Sequence, residues 1–151
     1  MKLLNSFYYA FCGLWYCIRN ERNFRIHITA IVTVLIFSNL YGLPKEQYPV
    51  IILVLALVPA LEAINTAIEK AVDTATCEKQ KSAKAAKDAA AAGVLIGAIG
   101  AVAIACVSFS DIEKLLGVIR MFTSPWAFSG LIIYIAFFWW FVFGVKERKI
   151  K

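Results

Sequence analysis

Glu62, Asn65, Glu69 and Asp73 close an otherwise apolar stretch, in the run Leu61-Glu62-Ala63-Ile64-Asn65-Thr66-Ala67-Ile68-Glu69-Lys70-Ala71-Val72-Asp73. At about 100° per residue they fall within roughly a third of a helix circumference, so three carboxylates and an amide share one stripe. Further charged groups border other apolar segments: Glu21 with Arg25, one helical turn apart, and Lys87 with Asp88. Carboxylates from separate helices suit Mg²⁺, which takes a couple of them and completes its shell with phosphate oxygens. A lysine and an arginine nearby neutralise phosphate charge. A carboxylate slightly deeper in an apolar layer is poorly hydrated, a setting that suits a general base. Together these residue types point to phosphoryl transfer onto a hydroxyl carried by a lipid.

Taken singly, most of these groups have plainer roles. Glu21 and Arg25 have the spacing of an ordinary surface ion pair. Asp88 complements the dipole at a helix start, and Glu69 and Asp73 have the look of solvated helix-end charges. Glu62 resists such a reading because it borders hydrocarbon, where an ionisable group is costly and faces protein or water.

The elements that must position these groups are membrane spans. Residues 48–61 contain no charge, and 61% of the 151 residues are hydrophobic, well above the roughly 45–50% of soluble domains. Four apolar segments stand out, at about 26–41, 48–68, 89–109 and 127–145. The first is short for a span and is expected to continue from a helix that starts in the interface. Residues 3–18, with Phe7, Tyr8, Tyr9, Phe11, Trp15 and Tyr16, read as an amphipathic surface helix whose aromatics settle at headgroup level. The run lacks a small-residue cleavage pattern, so removal as a signal peptide is not expected. The expected fold is an all-α integral membrane protein with one surface helix and four spans.

Basic residues set the expected orientation. Lys2, Arg19, Arg22 and Arg25 precede the first span; Lys70, Lys79, Lys81, Lys84 and Lys87 lie between the second and third; Lys146, Arg148, Lys149 and Lys151 follow the fourth. Only Lys45, Lys114 and Arg120 fall in the other connections, which puts both termini and the polar stripe on the cytoplasmic side of the cell membrane. The net charge of +6 then reads as a positive-inside pattern with attraction to anionic headgroups, and nucleic acid is not an expected partner because the charges do not gather on one soluble face.

Other chemistries are excluded by absence. No GxxxxGK[ST] phosphate loop, GxGxxG, kinase HRD or DFG set, or GxSxG elbow occurs. Cys12, Cys17, Cys77 and Cys106 lack zinc-site spacing and read as free thiols. Gly93, Gly97 and Gly100 have the spacing of helix-packing glycines.

Three stretches, Glu21-Arg22-Asn23-Phe24-Arg25-Ile26-His27, Glu62-Ala63-Ile64-Asn65-Thr66-Ala67-Ile68-Glu69 with Asp73, and Ala86-Lys87-Asp88 with Gly93-Val94-Leu95, resemble the prokaryotic diacylglycerol kinase and undecaprenol kinase family over roughly residues 1–110. The first stretch is more similar to the undecaprenol kinase branch of Gram-positive type. The resemblance implies a homotrimer of three-span subunits with ATP sites shared at subunit contacts. It further implies that Glu62 is the base on the lipid hydroxyl and that Glu21 and Glu69 hold Mg²⁺ on the ATP phosphates. Asn65, Asp73, Lys87 and Asp88 would line the nucleotide site, with Tyr9 as an aromatic near the nucleotide. Departures are Lys2 in place of an arginine found in enterobacterial members, Cys12 in place of a polar residue, and Gln80 where His is frequent.

Residues 111–151 form a carboxyl-terminal extension outside the kinase domain of residues 1–110, with a polar connection and a fourth span ending in Phe137-Phe138-Trp139-Trp140-Phe141. Three functions stand side by side at this level: an undecaprenol kinase, a diacylglycerol kinase with the same machinery, and a non-catalytic membrane protein using the intramembrane acid for packing or ion passage.

Overall fold

A computed structural model describes residues 2–75 and 80–145, without the Lys2 side chain. Cys77, Lys79 and the basic tail Lys146, Arg148, Lys149 and Lys151 lie outside the described residues. The described residues are almost entirely helical: α1 (Lys2–Asn20), α2 (Arg22–Tyr41), a 3-10 turn (Lys45–Gln47), α3 (Tyr48–Ala75), α4 (Lys81–Ser108), α5 (Ile112–Met121) and α6 (Pro125–Trp139), which ends in a π-helical turn (Trp140–Gly144). Four of these helical stretches are long and apolar enough to cross a membrane.

The expected spans are all present and mostly longer than hydropathy implied. The first begins at Arg22, giving 20 residues. The third starts at Lys81, eight residues before its apolar segment, so lysines 81, 84 and 87 lie on its helix. α5 was not anticipated: the segment read as a polar connection becomes an amphipathic helix, its start capped by the Asp111 carboxylate accepting from the Lys114 N–H at 3.2 Å.

α3 and α4 form the main antiparallel pair. Gly97 marks a close approach between them, since a Cβ there would meet Leu61 Cδ1 at 2.7 Å, whereas one at Gly93 or Gly100 would meet nothing within 4 Å. Of the three glycines read as packing positions, only Gly97 has that role within one chain. No α4 residue is fully buried in the single chain.

The two ends of the bundle differ in character. At one, Tyr41, Leu43, Ile51 and Val118 form a buried apolar cluster with Phe37 and Phe109 packed on it. The Tyr41 hydroxyl accepts from the Asp111 N–H at 2.9 Å, and the Lys114 ammonium sits 5.4 Å from the Tyr41 ring centroid, which ties α5 across the end of α2. α2 stops there because Gly42 takes the left-handed conformation, φ 68°, with Leu43 N–H bonding back to the Ser38 carbonyl. At the other end Arg25, Glu62, Asn65 and Thr66 are buried together with Cys17, Phe24 and Val142.

Candidate active site

The polar end is assembled from the last turn of α1, the second half of α3 and the first turns of α4. α3 carries the stripe, and Pro59 sits one turn before it, without the N–H that would bond the Leu55 carbonyl. Glu62 is buried at 4% exposure, and Asn65 and Thr66 are buried beside it. Further along, Asn65 Nδ2 donates to Glu69 Oε1 at 3.2 Å, fixing the amide so that its oxygen turns the other way. That oxygen is buried and has no hydrogen-bond partner. An unpaired buried acceptor costs about 1–3 kcal/mol, so it marks a place where a donor or cation is expected.

Glu21 enters from the elbow between α1 and α2, where it holds an extended backbone (φ −112°, ψ 114°) as the residue before α2. Its carboxylate lies 3.6 Å from the Lys70 ammonium, which brings it to the turn of α3 that also carries Glu69. Lys87 pairs with Asp73 at 2.5 Å, closing the α3–α4 junction, and Asp88 stands exposed next to it on α4. Thus Glu62, Asn65, Glu69, Asp73, Glu21, Lys87 and Asp88 all reach one end of the bundle.

Tyr9 stands apart from this cluster, and one expectation changes. Tyr9 is 69% exposed on α1 and is not among the residues lining the groove of about 450 Å³ between α1 and α3; Ala10, Gly13, Leu14, Tyr16 and Cys17 line it from α1, facing Ala63, Thr66, Ala67 and Lys70. Arg25, expected to neutralise phosphate beside Glu21, is 2% exposed and donates to four backbone carbonyls instead. Sequence reasoning also missed Thr66 and the Lys70 pairing. Thr66 neighbours Asn65 without adding to the charge pattern, and Glu21 and Lys70 are too far apart in sequence for any local spacing to join them.

Cys17, buried on α1, lies within electrostatic reach of two of the acids. Burial, and then the negative charges of Glu21 and Glu62, push its thiol up. A raised thiol pKa means less thiolate at a given pH, so Cys17 alkylation should lag behind that of exposed Cys12 by at least about tenfold at pH 8 and keep rising as the medium turns alkaline. Peptide mapping after timed maleimide treatment reads this directly, and equal rates would contradict the packing of α1 on α3.

Among the described residues no three His, Cys, Asp or Glu side chains cluster as a metal site. The oxygen donors of Glu21, Glu69 and Asn65 are of the hard type that suits Mg²⁺, and they fit an ion that draws its remaining ligands from phosphate.

The sequence profile of a family described as prokaryotic diacylglycerol kinase matches residues 8–109. An undecaprenol kinase of Bacillus subtilis (strain 168) is 41% identical over 98 residues, covering 65% of this chain and 80% of that protein. A diacylglycerol kinase of Synechocystis sp. (strain PCC 6803) is 42% identical over 102 residues, covering 67% of this chain but only 58% of that longer protein. No solved structure matches the chain.

Proposed function

Because this chain belongs to the prokaryotic diacylglycerol kinase family, a family of membrane lipid kinases, we propose that it transfers the γ-phosphoryl group of ATP to the hydroxyl of undecaprenol, giving undecaprenyl phosphate. The observation that carries the lipid kinase reading is the depth of Glu62. It is a buried carboxylate at the point where an uncharged apolar span becomes a polar stripe. A lipid hydroxyl and a water-soluble nucleotide meet only at such a boundary.

In this reading Glu62 takes the proton from the lipid O–H as its oxygen attacks the γ-phosphorus, and ADP leaves. Glu21 and Glu69 would hold Mg²⁺, which would supply neutralisation of charge on the phosphates. The unpaired Asn65 oxygen supports placing a cation or a donor beside Glu69. Lys87, oriented by Asp73, faces phosphate, with Asn65 and Asp88 lining the nucleotide. Tyr9 is placed at the nucleotide as well, and its exposure on α1 fits sites completed where the subunits of a homotrimer meet. The distribution of basic residues supports an active site and both chain ends on the cytoplasmic side of the cell membrane. Residues 1–110 form the kinase unit in this account and residues 111–151 an extension of it.

Undecaprenol is favoured by the form of the Glu21–His27 stretch and by the 80% of the Bacillus protein that the match covers. The Synechocystis relative supports diacylglycerol as a second acceptor, giving phosphatidic acid. Purified protein with Mg²⁺ and γ-labelled ATP, in parallel micelles of the two lipid alcohols, separates them. The expected result is a kcat/KM at least about tenfold higher with undecaprenol, a difference of about 1.4 kcal/mol in transition-state binding. The reverse ratio would assign diacylglycerol.

A further inference from the structure

At the polar end of the bundle, one buried side chain ties residues beyond the family match to the end of α1. The Arg25 guanidinium, at the start of α2, donates through Nη1 to the carbonyls of Ile18 (3.3 Å) and Arg19 (3.2 Å) at the end of α1. Through Nε and Nη2 it donates to the carbonyls of Val142 (3.2 Å) and Val145 (3.4 Å) at the end of the fourth span. A buried cation is costly, yet here two helix carboxyl ends converge on it, each equivalent to roughly half a negative charge. Only the planar fork of arginine reaches both ends at once.

A second contact fixes the register of the extension. The Thr33 hydroxyl gives its one proton to the Thr29 carbonyl at 2.7 Å, so the Tyr134 hydroxyl donates to Thr33, at 2.6 Å. Arg25 and Thr33 are eight positions apart on α2, as Val142 and Tyr134 are on the descending chain, so α6 runs antiparallel along one face of α2. Val142 is buried in the π-helical turn that presents its carbonyl to Arg25.

We propose that Arg25 is a positioning residue that uses the carboxyl-terminal extension as its anchor: the end of the fourth span holds the guanidinium, and the guanidinium holds the end of α1, from which Glu21 and the α1 wall of the groove hang. This rests on the lipid kinase reading for its effect on catalysis, while the latch itself stands on geometry. The extension is then a working part of the site, set at a distance, rather than a helix appended on the lipid side.

The test uses full-length protein and two variants that act from opposite sides. Arg25→Lys keeps the charge but offers one compact ammonium in place of the fork. Val142→Lys leaves Arg25 intact and sets a second cation against it. Spin labels at Trp15→Cys and Phe143→Cys, with the four native cysteines replaced, report the separation of α1 and the fourth span, and steady-state kinetics are measured without labels. Both variants should broaden a single narrow distance distribution and raise the KM for Mg²⁺–ATP roughly tenfold, with the KM for the lipid changed by less than about twofold. Unchanged distances in both variants, or equal increases in the two KM values, would overturn the proposal. A native-sequence chain without turnover, whose narrow distance both variants still broaden, would sink the kinase reading and leave the latch standing.

Discussion

Replacing Glu62 with Gln is expected to lower kcat by about 10²–10⁴-fold, the range that general-base catalysis supplies, or roughly 3–5 kcal/mol of barrier. The amide keeps the size and depth of the side chain at a position that is 4% exposed, so packing against Asn65 and Thr66 should survive. What it cannot do is accept a proton from a lipid hydroxyl. Binding of Mg²⁺–ATP, followed by equilibrium titration, should change by less than about threefold, because the groups proposed to hold the nucleotide lie further along α3 and on other helices. A variant that loses nucleotide binding together with turnover would place Glu62 among the metal ligands instead.

Glu69→Gln should have the second largest effect, by another route. The carboxylate accepts from Asn65 Nδ2 at 3.2 Å and lies on the turn of α3 to which Lys70 draws Glu21. Removing its charge takes away one of two proposed metal ligands, so affinity for Mg²⁺–ATP should fall at least about 10–100-fold, the loss seen even when only the partners of metal ligands are changed. Raised Mg²⁺ should restore part of the rate in this variant, whereas no concentration should do so in Glu62→Gln. The Mg²⁺ dependence of initial rate distinguishes the two, and an Mg²⁺ response identical to that of the unaltered chain would remove Glu69 from the metal site.

The sequence carried the spans and the stripe because both are local patterns. Uninterrupted apolar residues before Glu62 required a membrane helix, and the positions of Glu62, Asn65, Glu69 and Asp73 required that they share a face of it. Hydropathy placed helix ends poorly where polar residues continue a helix, as in the turns of α4 before Asp88, since the hydrophobic signal stops there and the backbone hydrogen bonding does not. α5 was hidden for a related reason: ten residues are too few for a span, and its charged first turn reads as a loop.

Long-range pairings left no local trace. Lys70 with Glu21 and Arg25 with Val142 and Val145 join distant parts of the chain, so no spacing could announce them. Arg25 is the instructive case. Its position four residues after Glu21 invited an ion pair, and its charge invited a phosphate, yet backbone carbonyls at two helix ends hold it in the interior. Lys87 remains the proposed phosphate-facing cation, partly exposed and directed by Asp73.

The central claim is that a carboxylate at the membrane boundary deprotonates a lipid alcohol for attack on ATP. Its most direct test follows labelled γ-phosphate into lipid, with the unaltered protein and Glu62→Gln side by side in undecaprenol micelles under saturating Mg²⁺–ATP. The account predicts labelled undecaprenyl phosphate from the first and a rate lower by at least about 10²-fold from the second, with nucleotide binding retained. Near-equal rates of lipid phosphorylation from the two proteins would contradict it.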